Sequence, residues 1–357
     1  GQVDGSAAWR DCPTLAGWFR EHGLGVAAPE ADRLTEEMAE EAMDFFLAQY
    51  LRLWRSPSFA ELAAAVPMLA MWDDHETFTG FSRMNAQQRR TRPIRGVHLV
   101  ARRWFCLFQM GATDDALPDS AWRAEGPNLT QGARVGDLGV LALDLVSERR
   151  RDRMLSDASW AQFPDWLARF SGCRDLLVIS ARPPLLPAPA LPQWLPDPLQ
   201  QVNGAAADHW RAASHQAEWA RLLRLLLGLS EHAGCRVALL SGVEGAEAPL
   251  APPPAHPAAF QGWLQAPGGD IRQLTSTAAT LRRPAKLAAK LAESRAKGEE
   301  YPRPDWRLTF SPAAADGRRY LRRPNWLALD RPGGGLEAEW ITLDPPRRVE
   351  DGEDGAG

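Results

Sequence analysis

Residues 138–146 read LGVLALDLV, and this stretch decides the fold. It is an apolar run of strand length that holds a single acid, Asp144, near its end. Two later runs have the same form, DLLVIS at 175–180 and RVALLS at 236–241. Short apolar runs bounded by polar and turn residues are typical of buried strands. We therefore expect an α/β protein built on a largely parallel or mixed sheet.

Helical periodicity fills two of the intervals around these strands. Apolar residues recur at helical spacing from about Asp32 to Trp54, and acidic residues occupy the first turns, where the helix dipole favours them. A second long helix is expected from about Asp208 to His232, where it supplies a crossover between strands. Short antiparallel strands are expected at 306–310, 325–330 and 336–343 because Gly and Pro turns separate them.

Composition excludes several classes of protein. The 357 residues are 45% hydrophobic and 24% charged, which is globular composition with enough length for a large core. A net charge of -4 provides no overall basic field, so we expect neither a nucleic-acid partner nor recruitment to an anionic membrane. Arginine pairs such as Arg89-Arg90 are interpreted mainly as solvated surface.

Cysteine spacing and hydropathy limit the cellular compartments in which we expect the protein. The four cysteines are widely spaced without a C-x-x-C pair, which favours reduced, buried thiols over a zinc knuckle or a disulfide framework. No apolar run approaches the roughly 20 residues of a membrane span. We expect a soluble chain and favour a cytoplasmic location, while the compartment and the oligomeric state stay open.

Residues 72–76 read WDDHE and follow the apolar run VPMLAM at 66–71. The run predicts a short buried strand whose carboxyl end opens into a loop that carries these side chains. Acids and an imidazole in succession favour metal binding or proton transfer. One such cluster cannot complete a metal site by itself, so other strands must supply partner ligands.

Five segments in this order resemble the PhoD-like (alkaline phosphatase D) branch of the metallophosphatase superfamily. They are 66–76, 143–149, 208–210, 240–242 and 273–276. The likeness extends over nearly the whole chain, and residues 72–76 are its most specific part. It implies a metallophosphatase-type sandwich of two mixed β-sheets flanked by helices.

The resemblance also implies the domain organisation. One PhoD-like domain is expected at residues 1–346, lacking its first strand, and a disordered tail at 347–357. Because the given sequence begins at Gly1 without an initiator Met or a charged-then-apolar leader, we expect that processing or truncation has removed the true beginning, and the resemblance implies an upstream strand with further metal ligands.

The activity implied by the resemblance is hydrolysis of phosphoesters at a two-metal centre. Two cations hold the phosphate and convert a bound water into a nucleophile. On this resemblance, Asp74 is a metal ligand and Asp73 is a further candidate ligand that also orients the site. His75 is the catalytic residue that stabilises or protonates the substrate oxygen.

Three further residues are expected to support that chemistry. By the same resemblance, Glu76 and Asp208 orient the residues that bind metal. Arg149 is a candidate contact for the substrate phosphate. Its alternative role, an ion pair within the fold to Asp144 or Glu148, is favoured.

The sequence departs from the family at two ligand motifs. A G-D-x-x-x-D motif is expected near the start, but Gly1 and Ser6 stand where its acids belong. An S-G-D-x-H motif is expected after 241, but Val243 and Gly245 stand at its ligand positions. These departures predict an eroded metal site.

Two hypotheses follow. The favoured one is a family member of phosphoester-hydrolase ancestry with weak or no catalysis, for which the presence and the absence of a metal both stay open. The other is an active phosphomonoesterase or phosphodiesterase that uses a rearranged site at Asp74, His75, Glu244 and Asp4. An active form would take Mn, Fe, Ca or Zn as a divalent or trivalent ion and a phosphate-containing small molecule as substrate.

Overall fold

The computed structural model describes residues 11–23, 31–73, 76–77, 81, 84–113, 116–117, 128–186, 209–243, 259–277, 293, 296–313, 317–321 and 323–342. The helices are α1 (Pro13–His22), α2 (Glu36–Trp54), α3 (Pro57–Ala65), α4 (Ala86–Arg90), α5 (Arg92–Gln109), α6 (Asp157–Ala168) and α7 (Gln216–Ala233). The strands are β1 (Gln131–Val135), β2 (Leu138–Leu143), β3 (Asp175–Ser180), β4 (Arg236–Val243), β5 (Phe260–Ala266), β6 (Gly269–Thr277), β7 (Glu300–Arg303), β8 (Trp306–Ser311), β9 (Asn325–Asp330) and β10 (Glu337–Thr342).

Eight strands form one mixed sheet in the order β1-β2-β3-β4-β6-β5-β8-β7. The central strands β2, β3, β4 and β6 are parallel, and the remaining strands pair antiparallel with their neighbours. The expectation of a mixed sheet built on the three apolar runs is therefore confirmed. Parallel neighbours place their carboxyl ends at one edge, where loops carry the candidate site.

The expected sandwich of two mixed sheets is wrong for the residues that the structure describes. The strand expected at 306–310 is β8, and it joins the large sheet by pairing with β5 from Arg307 to Ser311. The strands expected at 325–330 and 336–343 are β9 and β10, which form a separate two-stranded hairpin. Only this hairpin stands apart from the large sheet, so a second mixed sheet is not formed there.

Ion pairs and hydrogen bonds dock the β9–β10 hairpin on the sheet. Arg331, which follows β9, contacts the carboxylates of Asp137 at 2.8 Å and Asp175 at 2.7 Å. Arg236 holds the same buried Asp175 through two hydrogen bonds of 2.8 and 2.9 Å. The indole N–H of Trp340 donates to the Thr275 carbonyl at 2.9 Å. The hairpin therefore contacts both the start of β3 and the end of β6.

The long helices begin later than their periodicity indicates. α2 starts at Glu36, because the Thr35 hydroxyl accepts a hydrogen bond from the Met38 N–H and caps the helix. α7 starts at Gln216 after a 3₁₀ turn at Ala213–His215, and it ends at Gly234 in the left-handed conformation.

The apolar run at 66–72 is not a strand, which corrects the expectation. It is an irregular segment that follows α3, and Val66 and Met68 are exposed while Trp72 is fully buried. A short apolar run does not distinguish a buried strand from a segment whose final residue alone enters a core. The carboxamide of Gln131 fixes the segment beside β1 by donating to the Ala70 carbonyl at 2.8 Å.

Two hydrophobic cores hold these layers together. One lies between the sheet and helices α6 and α7, and the other lies among α1, α2, α5 and Trp72. Consecutive residues of the loop after β2 enter different cores, since Leu145 packs in the first and Val146 in the second. That loop is therefore held from both sides.

The described residues also bear on two simpler expectations. Cys12, Cys106, Cys173 and Cys235 are free and buried, as their spacing predicts. No helix of the described residues is long and apolar enough to cross a membrane.

We predict opposite stability effects for two glycine substitutions. In Gly139→Ala, the new Cβ would lie 2.6 Å from the ring of Phe170, so the free energy of unfolding should fall by about 1–3 kcal/mol. In the matched variant Gly228→Ala, the Cβ meets open space on α7, and helix propensity should raise stability by about 0.5–1 kcal/mol. Chemical denaturation measures both, and a Gly139→Ala protein as stable as the wild type would contradict the packing of Phe170 on β2.

Candidate functional site

Hydroxyl side chains line the carboxyl edge of the parallel strands. Ser180, Ser241 and Thr275 occupy one register row across β3, β4 and β6, and all are buried. Matched residues of parallel neighbours point to the same face. Within the described residues, the Ser241 hydroxyl has no hydrogen-bond partner. By contrast, the Ser180 hydroxyl donates to the Arg182 carbonyl at 2.6 Å and accepts from the Trp210 indole at 3.3 Å.

Asp144 organises the loop that leaves β2. Its Oδ1 accepts hydrogen bonds from the Val146 N–H at 2.8 Å and the Ser147 N–H at 2.9 Å. Its Oδ2 accepts from the Leu129 N–H at 2.8 Å and from the Ser147 hydroxyl at 2.6 Å. Burial raises the pKa of Asp144 above its usual value, and these hydrogen bonds oppose the shift. The buried carboxylate of Asp144 is therefore paired with backbone and hydroxyl donors of its own loop and with the backbone of Leu129, which precedes β1.

Glu148 and Arg150 also serve the architecture of this loop. The Glu148 carboxylate accepts from the Ser156 N–H and the Ser159 hydroxyl, both at 2.9 Å, and so holds the amino end of α6. Arg150 donates from Nη1 to the carbonyls of Ser147, Glu148 and Arg149 at 3.4, 3.2 and 2.8 Å. Burial lowers the pKa of Arg150 from its usual value. These bonds hold the loop in a compact turn.

Arg149 is buried, with 1% of its surface exposed. Its carbonyl accepts a hydrogen bond of 2.6 Å from Nη2 of Arg89, and the same guanidinium lies 3.4 Å from the Ser147 carbonyl. Arg89 belongs to α4, so these contacts tie the helical layer to the carboxyl end of β2. The proposed phosphate contact by Arg149 stays a prediction.

Arg89 is also the outer member of an aromatic stack that leads to residue 72. Its guanidinium lies 4.4 Å from the ring centre of Phe81, which stacks on His98 at 4.3 Å. The edge of Trp72 meets His98 at 5.8 Å and Phe105 at 4.9 Å. The stack therefore brings the segment that carries the WDDHE motif to the loop after β2. Sequence separation hides this link, because about 70 residues lie between the WDDHE motif and the loop after β2.

The turn from Asp73 to Glu76 is partly described. The Glu76 N–H donates to the Asp73 carbonyl at 3.1 Å, and the Tyr50 hydroxyl donates to the Glu76 carboxylate at 3.2 Å. The second bond fits a supporting rather than a metal-binding role for Glu76. Asp74 and His75 lie outside the described residues.

His98 is a buried histidine that sequence reasoning missed. Burial lowers its pKa from 6.5 to about 3, and the nearby charges of Arg102 and Arg89 act in the same direction. The ring is therefore neutral over the physiological range. The sequence offered one signal, which is that His98 lies among arginines on an amphipathic helix. A residue on such a helix faces either the core or the surface, depending on its position in the helical repeat.

The D-H-W segment at 208–210 supports the sheet edge. Asp208 lies outside the described residues, and Trp210 is fully buried against Ser180. His215 is also buried, with Nδ1 3.0 Å from the His209 carbonyl and Nε2 3.3 Å from the Arg150 carbonyl. The segment before α7 thus meets the loop after β2.

The described residues do not fit a two-metal centre. Among them, no group of three or more His, Cys, Asp and Glu side chains could hold a metal ion. The buried acids of the loop after β2, Asp144 and Glu148, direct their oxygens to internal donors. Glu244, like Asp74 and His75, lies outside the described residues.

A protein-family model with the description "PhoD related phosphatase" matches the part of the chain that contains the WDDHE motif. The match to this family model spans residues 1–131 of the 357. The predicted resemblance is confirmed over these residues, which include helices α1 to α5 and end at the first residue of β1. No curated protein matches the chain.

We predict that Arg89→Ala destabilises the protein. The variant loses hydrogen bonds to two carbonyls and the contact with Phe81, so the free energy of unfolding should fall by about 2 kcal/mol. The matched control is Arg90→Ala, whose exposed side chain follows Arg89 in α4 and whose loss should change stability by less than about 0.5 kcal/mol. Equal effects in urea denaturation would contradict the bridging role of Arg89.

We predict an acid-sensitive stability that depends on His98. The folded-state pKa of about 3 lies below the unfolded value of 6.5, so the unfolded state binds more protons between these values. The contribution of neutral, buried His98 to the free energy of unfolding is complete above pH 6.5. As the pH drops toward 3, the free energy of unfolding falls by up to about 1.4 kcal/mol per pH unit. His98→Phe keeps an aromatic ring on Phe81 and should flatten that slope. Identical slopes in the two proteins, measured by denaturation from pH 7 to 4, would contradict the shift.

Proposed function

We propose that the chain is a PhoD related phosphatase family protein of phosphoester-hydrolase ancestry with an eroded binuclear metal site and weak or no catalysis. The observation that carries the proposal is the engagement of Asp144. Its carboxylate follows the first parallel strand and accepts four hydrogen bonds, three from its own loop and one from the Leu129 N–H before β1.

A cation at Asp144 would compete with those four hydrogen bonds. Each buried N–H or O–H donor left unpaired costs about 1–3 kcal/mol, so metal binding there would disrupt the loop that joins the two cores. Asp144 therefore acts as a structural acid.

The end of β4 supports the same proposal. Val243 ends the strand next to the Ser241 row, and by the family motif an acid would be expected at this position. A valine side chain has no donor atom for a hard cation. With Gly1, Ser6 and Gly245 at other expected ligand positions, the set falls short of the four or more ligands that tight binding needs.

The retained turn supports binding of a phosphate-containing small molecule. In this proposal His75 and Arg149 contact the phosphate, while Asp73 and Asp74 retain the ancestral metal-facing positions. Glu76 orients the turn through its bond with Tyr50. Asp208 supports the turn from the segment before α7.

The second candidate is an active metal-dependent phosphomonoesterase or phosphodiesterase. The intact WDDHE motif within the family match favours it. Asp74, His75, Glu244 and Asp4 would form its rearranged site, with Mn, Fe, Ca or Zn as the ion.

Metal content and turnover distinguish the two candidates. We expect the purified chain to hold well below one metal ion per molecule by mass spectrometry, and to hydrolyse an aryl phosphate at the background rate with Mn, Fe, Ca or Zn. Near-stoichiometric metal, with turnover that His75→Ala abolishes and His232→Ala preserves, would establish the active candidate instead. His232 is a suitable control because its side chain is 79% exposed on α7.

Restoring ligands tests the erosion directly. The double variant Val243→Asp with Gly245→His should raise the affinity for Mn or Zn in calorimetric titration by at least about tenfold, since it adds a carboxylate and an imidazole. The control Val243→Ile with Gly245→Ala changes the same positions without adding ligands. Equal affinities in the two variants would contradict the assignment of these positions.

A further inference from the structure

Helices α2, α3 and α5 and the segment after α3 carry most of the exposed large apolar side chains of the described residues. Six of the nine large hydrophobic side chains that are exposed among the described residues lie between residues 53 and 107. We call these six residues the helical-layer surface: Leu53, Leu62, Val66, Met68, Leu99 and Leu107. Large exposed apolar patches are uncommon and mark interaction sites when they are contiguous.

Helix α3 is unusual in this surface because it is largely apolar and yet has no buried residue. It reads PSFAELAAA, has Glu61 as its single charged residue, and buries none of its residues. A nine-residue helix gains little from propensity, because most helical stability comes from packing of an apolar face. The ring of Phe59 packs on Trp54 at 5.3 Å, while Leu62 is 53% exposed. The outward face of α3 is therefore suited to burial against an apolar environment.

Helix α5 adds a basic stripe to the same surface. Its 18 residues include four arginines and no acid. Exposed positions recur at helical spacing along one face: Arg92, Arg95, Leu99, Arg103 and Leu107. The whole chain carries a net charge of -4, so the charge of this stripe is opposite in sign to that of the chain.

The basic end of helix α2 lies against the last turn of helix α5. Tyr50 stacks on Phe108 at 4.9 Å, and Trp54 meets the same ring at 6.0 Å, so the last turns of α2 and α5 are adjacent. The exposed charges of α2 at this end are basic, Arg52 and then Arg55 just beyond the helix. Its exposed acids belong to the first half of the helix: Glu36, Glu37, Glu40 and Asp44.

We propose that the helical-layer surface binds the interface of an anionic lipid bilayer through its local basic stripe, although the net charge of the whole chain predicts no such recruitment. Aliphatic side chains flanked by arginines satisfy both requirements of such an interface, because the apolar groups enter the acyl boundary and the guanidinium groups meet anionic headgroups. A symmetric contact with a second copy would bring the same arginines of both chains together, which like charges disfavour. The proposal concerns a surface apart from the Asp144 loop and does not depend on phosphoester chemistry.

Vesicle flotation of the full chain tests the proposal. We expect binding to phosphatidylcholine vesicles that contain 30% phosphatidylserine, little binding to pure phosphatidylcholine, and release as salt is raised. Arg103→Glu should lower the partition coefficient by about five-fold or more, and Leu62→Glu by about ten-fold.

Two control variants introduce the same kinds of substitution, an arginine to glutamate and an apolar residue to glutamate, elsewhere on the protein. Arg224→Glu removes an exposed arginine of α7, and Val135→Glu replaces a side chain of β1 that is 71% exposed. After correction for the change in net charge, both variants should have partition coefficients within about two-fold of the wild-type value. Circular dichroism melts should show that all four variants fold.

Several outcomes would overturn the proposal. They are no flotation with anionic vesicles, equal binding to neutral vesicles, and equal losses in the surface and control variants. Concentration-dependent dimerisation that Leu62→Glu abolishes, in the absence of vesicle binding, would assign the surface to a second copy instead.

Discussion

The Arg89 guanidinium joins the two halves of the candidate site. It lies on Phe81, in the stack with His98 and Trp72, and donates to the backbone of the loop that leaves β2. A planar, permanently charged donor can satisfy carbonyl groups at its edge while its face rests on an aromatic ring. Arg89, from a five-residue helix, therefore acts with the Gln131 carboxamide on Ala70 to position the segment that carries the WDDHE motif.

Buried acids around the same loop have an architectural role. Asp144 holds its own turn, and Glu148 holds the amino end of α6. A buried carboxylate is stable only when donors surround it, and donors from the same chain make the loop rigid. This arrangement gives a physical basis for an ancestral phosphatase scaffold that retains its shape while its metal chemistry is lost, as we propose.

Several elements could be predicted because their signals are local. The strands at 175–180 and 325–330 have the expected bounds, since each is a strand-length run between turn or loop residues. The expectation of a strand at 66–72 is wrong because the segment is irregular, with Trp72 fully buried and Ala70 partly buried against the same core. Arg89 and His98 could not be identified as partners of the turn, because they meet it through stacking across long sequence separations.

The sequence by itself determined the central parallel strands, the free cysteines and the resemblance carried by residues 72–76. Each depends on composition or spacing along the chain. The long-range contacts show that β8 joins the large sheet, that β9 and β10 form a hairpin, and that Asp144 is paired by its own loop together with Leu129. Strand pairing and hydrogen-bond partners depend on which distant segments meet, and no local pattern encodes that choice.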